Sequence, residues 1–431
     1  MRYLRLYIII ILIISFIQGV AFSEEILTWQ DCVKEAAKNN PDLISAQEVV
    51  KQSQAAKDIT ASGLYPQIDA NLDASTGKTV TGSGSSAKKS TTDSYSYGLS
   101  GTQLIFDGLK TVDNVKAAGE TVKANIEAFK FTSSNVRLGL RNAYVNLIRA
   151  QELVKVSEEI IKIRRSNLEL ITLRYESGLE HRGALLTAEA NLALARFNLA
   201  QAKRDIELSQ RQLNKEMGRK VFIPMFGKVD FTVDNPVDIK PDFELIAKSN
   251  PSLQEAINNR NSAAFGVKSA YANFFPQLTG SGSVTKSDNH WSPRNPGWNL
   301  GLGLTMPVFE GGLRIAQVSQ AKALYNQLVA VERSTRDSII VNLEQAWVNL
   351  RDSIETVGVQ YQNLIATQER SKIAEAQYSI GLMSYDNWTI IEDNLVSAKT
   401  SYLNAQANAL FAEASWIQAK GETLEYAQQK N

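Results

Sequence analysis

The sequence contains the same unit twice, and whatever the unit folds into, the chain must hold two of them. Asn40-Pro41-Asp42-Leu43 returns as Asn250-Pro251-Ser252-Leu253, and Tyr65-Pro66-Gln67 returns as Phe275-Pro276-Gln277, both at an offset of 210. Past a Gly/Ser/Thr-rich stretch from Thr76 to Asp93 the offset drops to 203 and holds: Leu104 to Gly108 becomes Pro307 to Gly311, and Ala143 to Leu147 becomes Ala346 to Leu350. Tyr175 and Gly178-Leu179 match Tyr378 and Gly381-Leu382 in that register. A surface loop between Thr76 and Asp93 would absorb the seven-residue difference.

The prolines mark where helix can run. None of the ten lies between Pro66 and Pro224, and none follows Pro307. A proline inside a helix costs about 3 kcal/mol, so these spans are open to very long helices. The periodicity fits. Leu140, Leu147, Val154, Ile161, Leu168 and Tyr175 recur every seven residues, and Leu343, Leu350, Val357, Leu364, Ser371 and Tyr378 repeat the ladder. After the turn another ladder, Leu185, Leu192, Leu199, Ile206 and Leu213, runs beside Ala188, Ala195 and Ala202, whose small side chains allow close coiled-coil packing. From Gly108 to Tyr175 is about 100 Å of helix at about 1.5 Å per residue.

Four segments switch to period two: about 66–76, 94–106, 276–285 and 297–308. In the first, Ile68, Ala70, Leu72 and Ala74 alternate with Asp69, Asn71 and Asp73; in the fourth, Trp298, Leu300, Leu302 and Leu304 alternate with Asn299, Gly301 and Gly303. Each is close to the roughly 9–11 residues of a tilted membrane-crossing strand with one apolar and one polar face. A soluble sheet with one wet face is the alternative. Pro66 and Pro276 are the seams at which helix gives way to strand. Asp107-Gly108 and Glu310-Gly311-Gly312 return strand to helix, with an acid near the helix N-terminus where the dipole favours it. Four strands cannot close a spanning barrel, which needs about eight, so strands that enter lipid require more than one copy.

Residues 1–23 carry Arg2 and Arg5, then the apolar run Leu6 to Ile17, then small residues. That run is too short to span a bilayer and has the layout of a cleaved signal peptide. Its removal takes the formal net charge from +1 to −1, which gives no footprint for nucleic acid. The single cysteine, Cys32, cannot form an internal disulfide and reads as a buried small side chain.

With these motifs in order, the sequence resembles the TolC-like family of outer membrane efflux proteins over essentially the whole mature chain. The resemblance rests on the duplication, the Asn-Pro pairs, the Tyr-Pro-Gln and Phe-Pro-Gln seams, the Phe-Asp-Gly and Phe-Glu-Gly returns, and the segments RYESGLEHRGALLTAEANL and QYSIGLMSYDNWTIIEDNL. It implies a mostly α-helical fold of an α-helical barrel joined to a transmembrane β-barrel, completed by a homotrimer that pools four strands per chain into twelve. The chain divides accordingly into a signal peptide (1–23), a first repeat (24–218), an equatorial inter-repeat segment (219–240), a second repeat (241–421) and a tail (422–431). The implied function is the exit duct of a tripartite efflux or type I secretion system in the outer membrane. It would passively conduct substrates from an inner-membrane pump of RND or ABC type, with a periplasmic adaptor protein as a further partner.

The resemblance also assigns sites. Ser177, Gly178 and Leu179, with Ile380, Gly381 and Leu382, match periplasmic turns where adaptor hairpins dock, at tips expected over about 176–184 and 379–387. Tyr378 matches a tyrosine of the closed-state linkage, and Tyr175 is its counterpart in the first copy. The places of the acidic ring found in some relatives hold Asn387 and Ile390, so that ring is in doubt and Asp386 is the nearest substitute. Asp69, Asn71 and Asp73 would line a wet lumen. No metal-ligand spacing, nucleophile elbow or phosphate loop appears, and His181 and His290 are far apart, so the reading is of a non-enzyme without cofactor or metal. A periplasmic adaptor is the alternative function, and a structural coiled coil explains the heptads but not the paired strands.

Overall fold

The structure is a computed structural model and describes residues 25–81, 88–233 and 240–425. The expected signal peptide lies outside the described residues, as do parts of the inter-repeat segment and the tail. The order is β1 (Glu25–Leu27), α1 (Trp29–Asn39), α2 (Pro41–Ser62), β2 (Gln67–Thr81), β3 (Lys88–Phe106), α3 (Lys110–Glu176) and α4 (Arg182–Glu216). Then follow β4 (Met225–Gly227), α5 (Phe243–Lys248), α6 (Pro251–Ala272), β5 (Gln277–Asp288), β6 (Asn295–Thr305), α7 (Leu313–Ser379) and α8 (Tyr385–Ala419). The paired helices match to the residue: α3 and α7 each have 67 residues, α4 and α8 each 35.

The leading helix of each repeat is broken by its Asn-Pro pair, which the periodicity did not disclose. Asn40 is extended at ψ 123°, and its side-chain oxygen accepts from the amides of Asp42 (2.9 Å) and Leu43 (3.3 Å) at the start of α2. Asn250 does the same for Ser252 at 3.0 Å. The asparagine supplies the acceptor that first-turn amides need, and the proline behind it fills a position whose amide would have no helical partner. Asn40 also donates from Nδ2 to the Glu216 carbonyl at 2.8 Å, tying the break to the end of α4.

Two compact units emerge. One holds residues up to Ile44, Phe131–Ile246 and the chain from Ile340 onward; the other holds Ser45–Lys130 and Ala247–Ile339. In the first, Leu140, Leu147, Leu213, Leu343 and Leu350 of the ladders are fully buried, as is Leu410, and Ala188, Ala195 and Ala202 are buried, whereas Val154, Ile161, Leu168, Leu185, Leu199, Ile206 and Val357 are half-buried and Tyr175 is exposed, so only part of each ladder lies in its core. Strands β1 and β4 pair in parallel over Glu25↔Met225 to Leu27↔Gly227. Arg219 pins this region, with Nε and Nη2 donating to the two Glu35 oxygens at 2.6 and 2.7 Å and Nη1 donating to Glu25 at 2.9 Å. Cys32 is buried, and its thiol is pushed up to about 12 chiefly by desolvation.

The second unit carries one antiparallel sheet in the order β2-β3-β5-β6. Its strands differ in extent from the period-two reading. β2 and β3 continue pairing from Thr76↔Asp93 to Thr81↔Lys88, through residues expected to be loop. The run is rich in Thr and Ser, and each residue finds a cross-strand partner, so the seven extra residues lengthen the first hairpin. β5 extends to Asp288, whereas β6 starts at Asn295 and ends at Thr305, short of residue 308. Pro307, which cannot donate to a ladder, follows that end.

Both seam prolines, Pro66 and Pro276, lie just outside the strands they precede. At the first return, Asp107 accepts from the Thr111 amide at 2.9 Å and from its hydroxyl at 2.5 Å, capping α3. Glu310 pairs with Arg314 at 2.5 Å at the second.

Candidate functional site

Each long helix ends in a Schellman motif at its tip glycine. Gly178 (φ 72°) donates to the Tyr175 carbonyl at 3.0 Å while Leu179 donates to Arg174 at 2.8 Å; Gly381 (φ 81°) donates to Tyr378 at 3.0 Å while Leu382 donates to Gln377 at 2.8 Å. These are the left-handed positions where a side chain is costly, which explains glycine at both. Ser177, Leu179, Ile380 and Leu382 project into solvent around them. His181 has a structural role not apparent in the sequence: it caps α4, its Nδ1 accepting from the Ala184 amide at 3.1 Å.

The two tips meet within one unit, and equivalent residues diverge there. Tyr378 is buried, but its counterpart Tyr175 is exposed and outside the tip cluster. Around Tyr378 gather Ile171, Ala184 and Ala188 from the first repeat and Ala374, Tyr385, Trp388 and Ile391 from the second. Its ring stacks on Trp388 at 4.4 Å with a 6° interplanar angle, and the Arg174 guanidinium covers the ring at 4.7 Å. Its hydroxyl donates to Glu180 Oε2 at 2.7 Å, and Arg174 Nη1 donates to the Tyr378 carbonyl at 3.2 Å. Arg174 and Glu180 of one tip therefore hold the tyrosine of the other. Burial, then the Glu180 carboxylate, pushes the Tyr378 phenol well above its usual range; burial also raises that of Tyr385.

A second polar layer lies one to two turns deeper. Arg164 donates to Asp393 at 2.5 Å, and the buried Glu392 accepts from the Ser371 hydroxyl at 2.5 Å and from Asn167 Nδ2 at 3.5 Å. Against these contacts stand two buried donors without partners, Trp388 Nε1 and Arg174 Nε. Each costs about 1–3 kcal/mol, so the packing around Tyr378 carries an internal cost.

Of the other gate candidates, Asp386 and Asn387 are exposed in the first turn of α8, where the Asn387 amide donates to the Ser384 hydroxyl at 3.5 Å. They do not join the Tyr378 cluster. Sequence reasoning missed Arg174, Glu180 and Trp388. A signal was present, because Arg174 and Glu180 flank Gly178 closely and Tyr385 and Trp388 fall three apart on one helix face.

In the other unit, Asp69, Asn71 and Asp73 share one face of β2, opposite the face of Ile68 and Leu72. Asn71 donates to Ser100 at 3.2 Å, and the Ser96 hydroxyl donates to Asp73 at 3.5 Å, so their face is polar across the hairpin. The opposite face exposes Ile68, Leu72, Leu99, Val284, Trp298, Leu300, Leu302 and Leu304.

Comparison with known proteins agrees. A profile of the family described as Outer membrane efflux protein matches residues 32–219 and 243–422, one match per repeat. The outer membrane efflux protein BepC of Brucella suis biovar 1 is 23% identical over 423 residues, covering 94% of this chain and 86% of BepC. The outer membrane protein TolC of Escherichia coli K12 is 23% identical over 343 residues, covering 74% of this chain and 68% of TolC. Among solved structures, the CmeC outer membrane channel of Campylobacter jejuni superposes with a TM-score of 0.81 at 20% identity, covering 91% of this chain and 85% of CmeC. The fold is therefore that of these outer membrane channels.

Proposed function

The chain belongs to the outer membrane efflux protein family and resides in the outer membrane, and from that premise we propose that it is the exit duct of a tripartite efflux or type I secretion system. Three copies pool their strands into one barrel, and their helices form a periplasmic tunnel that conducts substrate passively from an RND or ABC pump. The observation that carries this reading is the four-stranded sheet whose edge strands β2 and β6 have no further strand paired to them among the described residues, one face polar and the other apolar. Lipid does not tolerate open edges, so such a sheet must be completed by further copies. On this reading Asp69, Asn71 and Asp73 face the lumen, and the apolar row faces lipid.

The tips are the periplasmic end. The exposed turns Ser177-Gly178-Leu179 and Ile380-Gly381-Leu382 receive the adaptor, and the Tyr378–Glu180–Arg174 linkage keeps the tunnel closed. Two unpartnered buried donors make that closure shallow enough to be released by docking. Asp386, exposed at the tip, is the candidate for a carboxylate ring. Equal block of single-channel current by divalent cations in wild type and Asp386→Asn would remove that role.

The primary test is the native mass and membrane fraction of the protein extracted in mild detergent, followed by a deletion strain on a panel of drugs, metals and secreted polypeptides. An outer-membrane trimer whose loss sensitises the strain or blocks secretion is expected. A soluble or inner-membrane monomer, or a hexamer, would refute the duct and leave the adaptor alternative.

A further inference from the structure

The apolar face of the four-stranded sheet changes chemistry along its length. Alternation puts Ile68, Leu72, Thr76, Lys78 and Val80 of β2 on that face. The register carries it across the sheet. Val80↔Lys89 brings Lys89 of β3 onto it, and Leu72↔Tyr97 with Tyr97↔Lys286 brings Lys286 of β5, which holds the place of Thr76 in the second repeat. Lys78 lies ten residues beyond Ile68. At about 3.4 Å per residue and a tilt of about 40°, that is about 26 Å along the barrel axis, the height of the apolar band of a membrane barrel. Tyr95 and Trp298, opposite Ala74 and Val284, stand about 10 Å below Lys78. Apolar, then aromatic, then cationic side chains follow one another as they do at a bilayer interface.

Neither edge protection nor local pairing explains these lysines. A lysine on an edge strand guards against stray pairing, but Lys89 and Lys286 sit on β3 and β5, the interior strands. On the helices, Lys51, Lys123, Lys155 and Lys372 each pair with a glutamate three residues earlier. Lys78, Lys89 and Lys286 are exposed and make no ion pair among the described residues. Two acids share their face. Asp288 is taken up by its own loop, accepting from the Asn289 amide at 2.7 Å, and Asp93, opposite Thr76, is left open. Three cations therefore accompany one open carboxylate. The first hairpin is also prolonged where they stand: β2 has 15 residues and β6 has 11, and the excess, residues 78–81, holds a single apolar side chain, Val80. Burial of apolar surface does not account for that extension.

We propose that this band docks the phosphate groups of a phosphorylated glycolipid of the outer leaflet, whose acyl chains lie on the apolar and aromatic side chains below. Lys78 and Lys89 are diagonal neighbours across the hairpin, about 7 Å apart at Cα, so two flexible ammonium groups converge on one phosphate. The Thr91 hydroxyl, directly opposite Lys78, adds a neutral donor. Lys286 stands on the next strand, about 5 Å lower, within reach of a second phosphate on the same headgroup. The lysine stems lie along the apolar edge and carry their charge beyond it.

The inference rests on the channel reading, since only strands that enter lipid bring these lysines to a headgroup. It is tested by native mass spectrometry of the detergent-extracted protein, titrated with bisphosphorylated lipid A, with its dephosphorylated form and with inorganic phosphate. Each lysine should contribute about fivefold in affinity, so Lys78→Gln, Lys89→Gln and Lys286→Gln together should weaken lipid A binding about 100-fold. The same change at Lys162, Lys203 and Lys220, exposed lysines of the other unit, should leave binding as it is. A lipid A complex that survives the first triple substitution, or an equal loss in the second, overturns the inference and leaves the channel standing. So does equal binding of the dephosphorylated lipid, or displacement of lipid A by inorganic phosphate at matching concentration. The native mass and membrane fraction of the same preparation test the channel itself, and a soluble or inner-membrane monomer overturns both.

Discussion

Replacing Tyr378 by phenylalanine is the narrowest cut into the tip linkage. The ring remains, and with it the 4.4 Å stack on Trp388 and the guanidinium of Arg174 at 4.7 Å; only the 2.7 Å hydrogen bond to Glu180 is lost. A hydrogen bond to a charged group contributes about 1.5–3 kcal/mol net, so the equilibrium constant for opening the tip should rise about ten- to 150-fold. Amide hydrogen exchange across residues 374–391 reads that constant directly, and single-channel recordings should show a matching rise in open probability. A pH profile adds a second signature. The Tyr378 phenol is raised in the folded protein, so its contribution is fully present below the unfolded pKa of about 10 and is lost as pH rises above it toward the folded value. Wild type should therefore loosen in alkali, and most of that response should vanish in Tyr378→Phe, leaving the part due to Tyr385. Exchange and alkaline response both unchanged by the substitution would refute the linkage.

Asn40→Ala should lower local stability by about 1–2 kcal/mol, because it removes a helix cap and leaves the Glu216 carbonyl without its side-chain donor; Asn250→Ala, which removes the cap on the Ser252 amide, should cost at least about 1 kcal/mol, both read as exchange at the following helix. Arg219→Met strips Glu35 and Glu25 of their shared partner; both carboxylates are partly exposed, so the loss should be about 2–3 kcal/mol, measured as protease susceptibility near β1 and β4. With its thiol raised to about 12, Cys32 should react with a thiol reagent at pH 8 about 100- to 1,000-fold more slowly in the folded protein than in the unfolded chain, and rapid labelling of folded protein would contradict its burial.

The long-range plan was legible because it is periodic. Prolines confined to the seams, heptads repeated in both copies and alternation in four short segments each report a local rule that tertiary contacts reinforce. The extent of the first hairpin was not legible, since Thr, Ser and Gly suit a loop as well as a solvated strand and only the partner chain segment decides between them. The tip was half legible. Gly178 and Gly381 announce a left-handed turn from sequence alone, and Tyr378 stood out by resemblance. The fates of Tyr175 and Tyr378 could not be separated by register, because they occupy the same place in their repeats and differ only in what the opposite helix offers. Glu180 and Arg174 are charged residues near a turn, a pattern shared by many solvated tips, and their role depends on a residue some 200 positions away.

The bare edges of β2 and β6 bear on biogenesis. A newly folded chain offers two rows of unpaired backbone groups and a ribbon of exposed leucines, the kind of edge that templates misassembly when copies meet in the wrong order. On the proposed duct reading, a sheet of this kind sheds its edges by pairing with further copies. On that reading maturation should slow steeply as expression falls, and a single edge-blocked copy should poison the assembly it joins, so that a defective allele acts dominantly over a sound one.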